Sequence, residues 1–381
     1  MPRLLILCEY PTLLGGERSM LATLPAVTAA GFEVHVAAPA SGPSAATAAP
    51  IAQALCQQGV AHARWRVHDA EGERLPLERL RSDIAHFLAD LRPELVHANS
   101  LSMSRVAGPV AAERGVASLG HIRDIVKLSG QAISDVNANR RLVAVSHATR
   151  DFHVAQGIES QKCAVVNNGV DLSAFCPRPA TGYLHAELHL PPDARLIAVI
   201  GQLGARKGTD VVLLTAWQIA EAIPDVHWLV VGERTSTKRE ARGYELLLEL
   251  YAYQPPLRGH VHFLGSRSDV PRLLNECVLL VHGARQEPLG RVLLEAAASG
   301  VAVVATNVGG TPEIFPTELD GALLIPPESP PALAEAVLDL LHNDAHRQEL
   351  ARAARRRAES AFDINAAAER LIEQYRAVFA G

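Results

Sequence analysis

The sequence predicts an α/β protein made of two doubly wound, Rossmann-like domains. Two series of short apolar runs and a proline-marked break between them carry that reading. The first series lies at residues 4–7, 33–38, 94–98, 116–122, 142–146 and 164–167, with helix-length segments between the runs. Runs rich in Val, Ile and Leu suit strands covered on both faces, and their spacing calls for β-α-β crossovers and a parallel sheet. The second series, at 196–200, 228–231, 261–264, 278–282, 302–305 and 322–325, repeats the pattern. Between the two, Pro177, Pro179, Pro191 and Pro192 bracket a segment that continues neither a strand nor a helix smoothly. The expected domains are therefore 1–180 and 190–361, with a boundary at 175–192. From residue 330 onward the chain is rich in Ala, Leu, Arg and Glu with helical periodicity, interrupted at Phe362 and Asp363. Residues 40–49 form a small-residue stretch read as a loop.

Length and composition agree with this division. A chain of 381 residues exceeds the roughly 100–200 of a typical domain. No apolar stretch approaches the roughly 18 residues of a membrane span, and the residues before Cys8 and Glu9 are too few for a signal peptide. The expected location is the cytoplasm. Five cysteines without a C-x-x-C pair read as reduced thiols. A net charge of −5 argues against nucleic acid as a partner. Basic and acidic residues balance up to about residue 180, which leaves room for a weak peripheral contact of the first half with the inner membrane face.

In open α/β sheets, ligands lie beyond the carboxyl ends of the strands, so loops after strands hold the candidates, and two facing domains imply a cleft. One such loop is Ala284-Arg-Gln-Glu-Pro-Leu-Gly-Arg-Val-Leu-Leu-Glu295. Pro288 and Gly290 fit a turn into a helix, whose free N–H groups and positive end suit a phosphate. The helix is apolar on almost every side, so Glu295 is a lone acid on a buried element. It either accepts two hydroxyls, as a ribose would offer, or pairs with Arg291 one turn earlier. Glu287 either meets another part of a ligand or is a solvated loop acid.

A second loop, Gly201-Gln-Leu-Gly-Ala-Arg-Lys-Gly208, brings two adjacent cations, Arg206 and Lys207, to a strand end. They suit a diphosphate, although the spacing is not that of a Walker A loop. A third, Leu13-Leu-Gly-Gly-Glu-Arg18, opens a helix with Gly15 and Gly16, which allow close approach of a ligand or simply a tight turn. At strand ends of the first half stand His121, in Gly120-His-Ile-Arg-Asp124, and His97 with Asn99. His121 is either a hydrogen-bond donor near a reacting centre or a structural histidine. His185 and His189 are spaced i, i+4 but lack an obvious third ligand, so no metal site is expected.

These residues resemble glycosyltransferase family 4, whose signature is a loop acid followed eight positions later by a Glu on a small-residue helix, here Glu287 and Glu295. The likeness extends to Gly300-Val-Ala-Val-Val-Ala-Thr-Asn-Val-Gly-Gly-Thr-Pro-Glu-Ile314, Val145-Ser-His-Ala-Thr149, Asn168-Gly-Val-Asp171, Gly15-Gly-Glu17 and Lys207-Gly208. It implies a GT-B fold, with residues after 362 packing back on the first domain. It also implies a retaining, metal-independent transferase that takes a sugar from a UDP- or GDP-type nucleotide sugar to a saccharide, lipid-linked or small-molecule acceptor. In that role Glu295 holds the ribose, Glu287 the donor sugar, and Lys207 and Arg206 the diphosphate, while His121 sits beside the sugar. Backbone at Gly15, Gly16, Leu289, Gly290, Arg291 and Val292 completes the cradle, and the loop at 265–269 with Arg267 selects the base. His97, Asn99 and Arg123 fall on the acceptor side. Two departures stand out: Gln202 where Arg is frequent, and His282 before the loop. A non-catalytic, nucleotide-sugar-binding partner subunit is the alternative, and a nicotinamide enzyme conflicts with the missing G-x-G-x-x-G.

Overall fold

The computed structural model describes residues 1–39, 49–69, 73–236 and 238–380. The loop expected at 40–49 lies outside the described residues except for Ala49. The chain divides into two compact units, Met1–Gly169 with the returning C-terminal residues from Ile364, and Val170–Asp363.

The first unit contains seven parallel strands, β1 (Arg3–Leu7), β2 (Glu33–Pro39), β3 (Ala61–Trp65), β4 (Leu95–Ala98), β5 (Ala117–Ile122), β6 (Arg141–Ala144) and β7 (Cys163–Val165), in the order β3-β2-β1-β4-β5-β6-β7. Side chains alternate across a strand, so Leu4 and Ile6 face one layer of helices while Leu5 and Leu7 face the other. The first layer is built from the helix Gly15–Ala29 and the last helix, Ile364–Ala380, whose Leu371, Ile372, Tyr375 and Val378 join its core. The second layer contributes Leu80, Ile84, Leu88, Met103 and Val106. Each such side chain stabilises the fold by roughly 1.5–3 kcal/mol on burial, which is why the central strands read as continuous apolar runs.

β3 is absent from the sequence reading. It lies at the sheet edge, where Ala61, Ala63 and Arg64 are exposed, so Ala-His-Ala-Arg-Trp lacks the apolar signature of a doubly covered strand.

The second unit repeats the plan with six parallel strands, β8 (Arg195–Ile200), β9 (Val226–Val231), β10 (Val261–Gly265), β11 (Leu279–His282), β12 (Ala302–Thr306) and β13 (Ala322–Ile325), ordered β10-β9-β8-β11-β12-β13. Its core joins Ile197, Val199, Trp228, Val230 and Val281 to the helices Thr209–Ile219 and Pro330–His342. The proline-marked segment expected to link the units belongs to this one. Thr181 and Gly182 donate their backbone N–H groups to the Glu276 carboxylate at 2.7 and 2.8 Å, and Arg178 N–H donates to Asn275 Oδ1 at 2.7 Å. A buried acid thereby fixes residues whose prolines alone suggested a tether. Val170 N–H donates to Phe362 O at 2.8 Å, so the two ends of the second unit lie side by side. Among the described residues no helix is long and apolar enough to cross a membrane.

Several histidines are held as neutral rings, His97, His153 and His227 buried and His262 half-buried. Burial lowers His227 to about 4 and also lowers His262, and the neighbouring His260 ring adds to both effects. His97, lowered by burial to about 3, and His153, also lowered by burial, behave alike. A base whose folded pKa lies below its unfolded value binds fewer protons when folded. Its neutral burial is therefore without penalty above about 6.5 and destabilises progressively as pH falls toward the folded value. The folding free energy is expected to drop between pH 6.5 and 4.5 by up to about 1.4 kcal/mol per pH unit for a fully buried ring such as His97, and the melting temperature with it. A flat profile in scanning calorimetry across that range contradicts it.

Candidate active site

The carboxyl ends of β8 and β11 bring together the residues singled out in the second unit. After β8 the chain makes a short 3-10 turn, Ala205–Lys207, and enters the helix Thr209–Ile219 through Gly208. Gly208 has φ 63°, and a Cβ there would lie 1.8 Å from the carbonyl oxygen of Gly283. Only glycine lets the two loops approach so closely. Arg285 locks them further: its guanidinium donates to both oxygens of Asp210 at 2.8 Å and to Ala205 O at 2.7 Å, and its backbone N–H donates to Arg206 O at 2.9 Å.

Lys207 is thus held against Glu287. Lys207 Nζ lies 2.5 Å from Glu287 Oε2, and His282 Nε2 lies 2.9 Å from the same oxygen. Glu287 and His282 are buried, at 5% and 3% exposure. Burial alone would raise the Glu287 pKa, but Lys207 and His282 outweigh it and hold the carboxyl well below the usual carboxylate range. Burial lowers His282. The ring is therefore neutral, with its Nε2–H donating to an ionised carboxylate. Oε2 is saturated by two donors, while Oε1 has no partner among the described residues and is the free acceptor of the site. His282, a departure without an assigned role in the sequence, orients this acid.

The acidic loop is held from below by Gly309 and Gly310. Gly310 N–H donates to Glu287 O at 2.9 Å, and a Cβ on Gly309, which has φ 54°, would lie 2.0 Å from that oxygen. Gly290, with φ 108°, then caps the helix Arg291–Ala298. The amides of Leu289 and Gly290 make no backbone hydrogen bond among the described residues, and Val292 lies in the first turn, where N–H groups lack intrahelical acceptors. Glu295 is 9% exposed and pairs with Arg291, whose Nε lies 2.8 Å from Oε1. The i, i+4 pairing weighed in the sequence is formed. Arg206 makes no ion pair among the described residues, so it remains an available cation beside Lys207. Gln202 donates to Thr235 Oγ1. Arg267 is engaged by two acids, Glu187 at 2.6 Å and Asp269 at 2.8 Å, which raise its pKa and occupy its fork.

In the first unit the carboxyl ends of β4 and β5 gather His97, Asn99, His121 and Arg123. Arg123 donates to Asn99 O and Asn99 Oδ1, both at 3.0 Å, and to Asn168 Oδ1 at 3.0 Å. A Cβ on Gly16 would lie 3.2 Å from Arg123 Cδ, which places the guanidinium against the start of the helix Gly15–Ala29. Two neighbours of this cluster escaped the sequence reading: Asn168, which accepts from Arg123, and Tyr375, whose hydroxyl lies 2.8 Å from His97 Nδ1. Asn168 was visible only as part of a motif, and Tyr375 reads as one more apolar position of the last helix. Among the described residues no group of three or more His, Cys, Asp or Glu side chains is placed to hold a metal ion.

Comparison with known proteins matches residues 14–174 to the model of Glycosyltransferase Family 4 and residues 183–357 to that of Glycosyl transferases group 1. Spore coat protein SA of Bacillus subtilis is 31% identical over 56% of this chain and 58% of its own length. The alpha-maltose-1-phosphate synthase of Mycobacterium tuberculosis is 30% identical over 64% of this chain and 65% of its own. The chain thus spans between about half and two thirds of the curated relatives it matches. Among solved structures, Anabaena HepE in complex with UDP-glucose superposes with a TM-score of 0.86 at 20% identity, covering 99% of this chain and 100% of that one. Each of the two units is matched by a glycosyltransferase family model, and the fold is GT-B.

Proposed function

We propose that the chain is a retaining glycosyltransferase that takes a sugar from a nucleotide diphosphate sugar held by its second unit. The observation that carries this reading is Glu287, a buried ionised carboxylate with one oxygen fixed by Lys207 and His282 and the other free to accept a sugar hydroxyl. Beside it stand two cations, Lys207 and Arg206, and a helix start with free amides. Together they match the charge of a departing diphosphate, so electrostatic stabilisation of that group is the main catalytic contribution, and no divalent metal is needed. Departure and attack on one face of the sugar retain its configuration without a protein nucleophile. Glu295, oriented by Arg291, accepts the ribose hydroxyls. The acceptor is assigned to the first unit, where Asn99 and Arg123 lie at strand ends.

UDP is the first nucleotide to try, since the HepE structure contains UDP-glucose. At a hundredfold excess over its Kd, a nucleotide that binds only the folded state stabilises it by about 2.7 kcal/mol. A thermal-shift screen of UDP, GDP and ADP is expected to show one clear responder. Glu295→Ala should keep the fold, lose that shift, and stop nucleotide release from the corresponding sugar donor in the presence of acceptor. A folded Glu295→Ala protein that still turns over at the original rate refutes the assignment.

A further inference from the structure

Arg123 is a half-buried cation without a carboxylate partner among the described residues; its acceptors are Asn99, Asn168 and the Nδ1 atom of His121, 3.1 Å from the guanidinium. That last contact fixes the protons of three further side chains. A guanidinium donates and never accepts, and burial lowers the Arg123 pKa only to about 10, so the group is charged at neutral pH. His121 Nδ1 must therefore carry a lone pair. Burial lowers His121 well below its ordinary value, so the ring is neutral and its proton sits on Nε2. His97 Nε2 lies 3.2 Å from the same Nδ1 and can only donate to it. His97 is also neutral, which makes its Nδ1 an acceptor, and Tyr375 Oη, 2.8 Å away, donates there.

We propose that Tyr375 and His97 are positioning residues for Arg123. Hydrogen bonds run in one direction, from the Tyr375 hydroxyl to His97, and from His97 to His121, and end on a nitrogen that Arg123 also uses. Each donor in the chain disfavours the other tautomer of the next ring. A proton on His121 Nδ1 would face the guanidinium and displace it from Asn99 and from the start of the helix Gly15–Ala29. The last helix thereby controls a cation at the strand ends through two buried imidazoles. His121 keeps its proton on Nε2, an atom that is buried and has no hydrogen-bond partner among the described residues, and the ring stays neutral near neutral pH. The other ionisable groups that bear on Arg123 are Cys8, Glu17 and Asp124. Burial pushes both the Cys8 thiol and the Glu17 carboxyl up, and neither is a hydrogen-bond partner of the Arg123 guanidinium, whose side-chain partners are Asn99, Asn168 and His121. The proposal rests on the acceptor-side reading only for what Arg123 meets; the proton order is independent of it.

The test is nitrogen-15 NMR of the imidazoles and of arginine Nε–H in the full chain. Both His97 and His121 are expected as neutral rings protonated on Nε2 from pH 8 to pH 5.5, with Arg123 Nε–H protected from solvent exchange. A proton on Nδ1 of either ring, or protonation of His121 with a midpoint above pH 6, overturns the proposal. Tyr375→Phe removes one oxygen and is expected to accelerate Arg123 Nε–H exchange by about three- to tenfold, the worth of one net hydrogen bond. Its UDP affinity should remain within about twofold of the original. Unchanged exchange in a folded Tyr375→Phe protein also overturns it. If Tyr375→Phe fails to fold, the proton positions in the unaltered protein still decide. None of these measurements involves sugar transfer, so a failure of the proposed activity would leave them intact, and their failure would leave that activity standing.

Discussion

Glu287→Ala is expected to lower both the stability of the second unit and the turnover of a nucleotide sugar, each by a large factor. The substitution leaves the Lys207 ammonium, 17% exposed, and the buried His282 N–H without their shared acceptor. Breaking a buried pair by removing one partner costs about 3–5 kcal/mol, because the remaining charge is desolvated and unopposed. In urea, the unfolding midpoint should fall accordingly with an unchanged slope. Donor turnover should fall by about a hundredfold or more, as for the loss of one preorganised polar contact to the reacting group. Glu287→Gln separates the two effects. Its amide oxygen still accepts from His282 or Lys207, so the fold should be largely retained while sugar binding weakens. The pH dependence follows from the sign of the shift. Glu287 is held below its ordinary range, so its contribution is complete above about pH 4.5 and is lost only as pH falls through the folded value. Normal turnover by a folded Glu287→Ala protein would remove Glu287 from the donor site.

Much of this was legible in the sequence, for identifiable reasons. Most of the twelve strands read in the sequence announce themselves because both faces of the sheets are covered there, so their apolar runs are unbroken. β3 does not, because an edge strand with exposed Ala61 and Arg64 has no such requirement. Glu287 and Lys207 stand out as charged residues in glycine-containing loops after strands, yet their contact spans 80 positions and could not be read from spacing. The role of His282 was hidden although it stands only five positions from Glu287, because the contact exists only once the end of β11 and the following loop fold over one carboxylate. Arg267 illustrates the opposite problem. Its neighbour Asp269 was in view two positions away, but the second acid, Glu187, arrives from a segment read as a linker. Tyr375 is 278 positions from its partner His97, and helical periodicity registers its ring without its hydroxyl.

Gly208→Ala tests the geometry on which the donor site depends, because no side-chain adjustment can accommodate it. The added Cβ would lie 1.8 Å from Gly283 O and 2.7 Å from Gly283 C, so backbone meets backbone. The left-handed φ of 63° adds about 1–2 kcal/mol for any residue with a Cβ, and overpacking adds about 1–3 kcal/mol. A loss of about 2–5 kcal/mol is expected in denaturant unfolding. The strain acts where Lys207 is delivered to Glu287, so the loops should separate, weakening UDP binding by tenfold or more even in protein that remains folded. Gly204→Ala, in the same turn, is the control. Gly204 has φ −164°, which any residue adopts, and its Cβ would meet nothing within 4 Å. Its effect should stay within about 0.5 kcal/mol, as for an ordinary surface position. Equal behaviour of the two variants in unfolding and in UDP titration would mean that the loops after β8 and β11 do not approach as closely as described. The Lys207–Glu287 contact would then lose its structural basis.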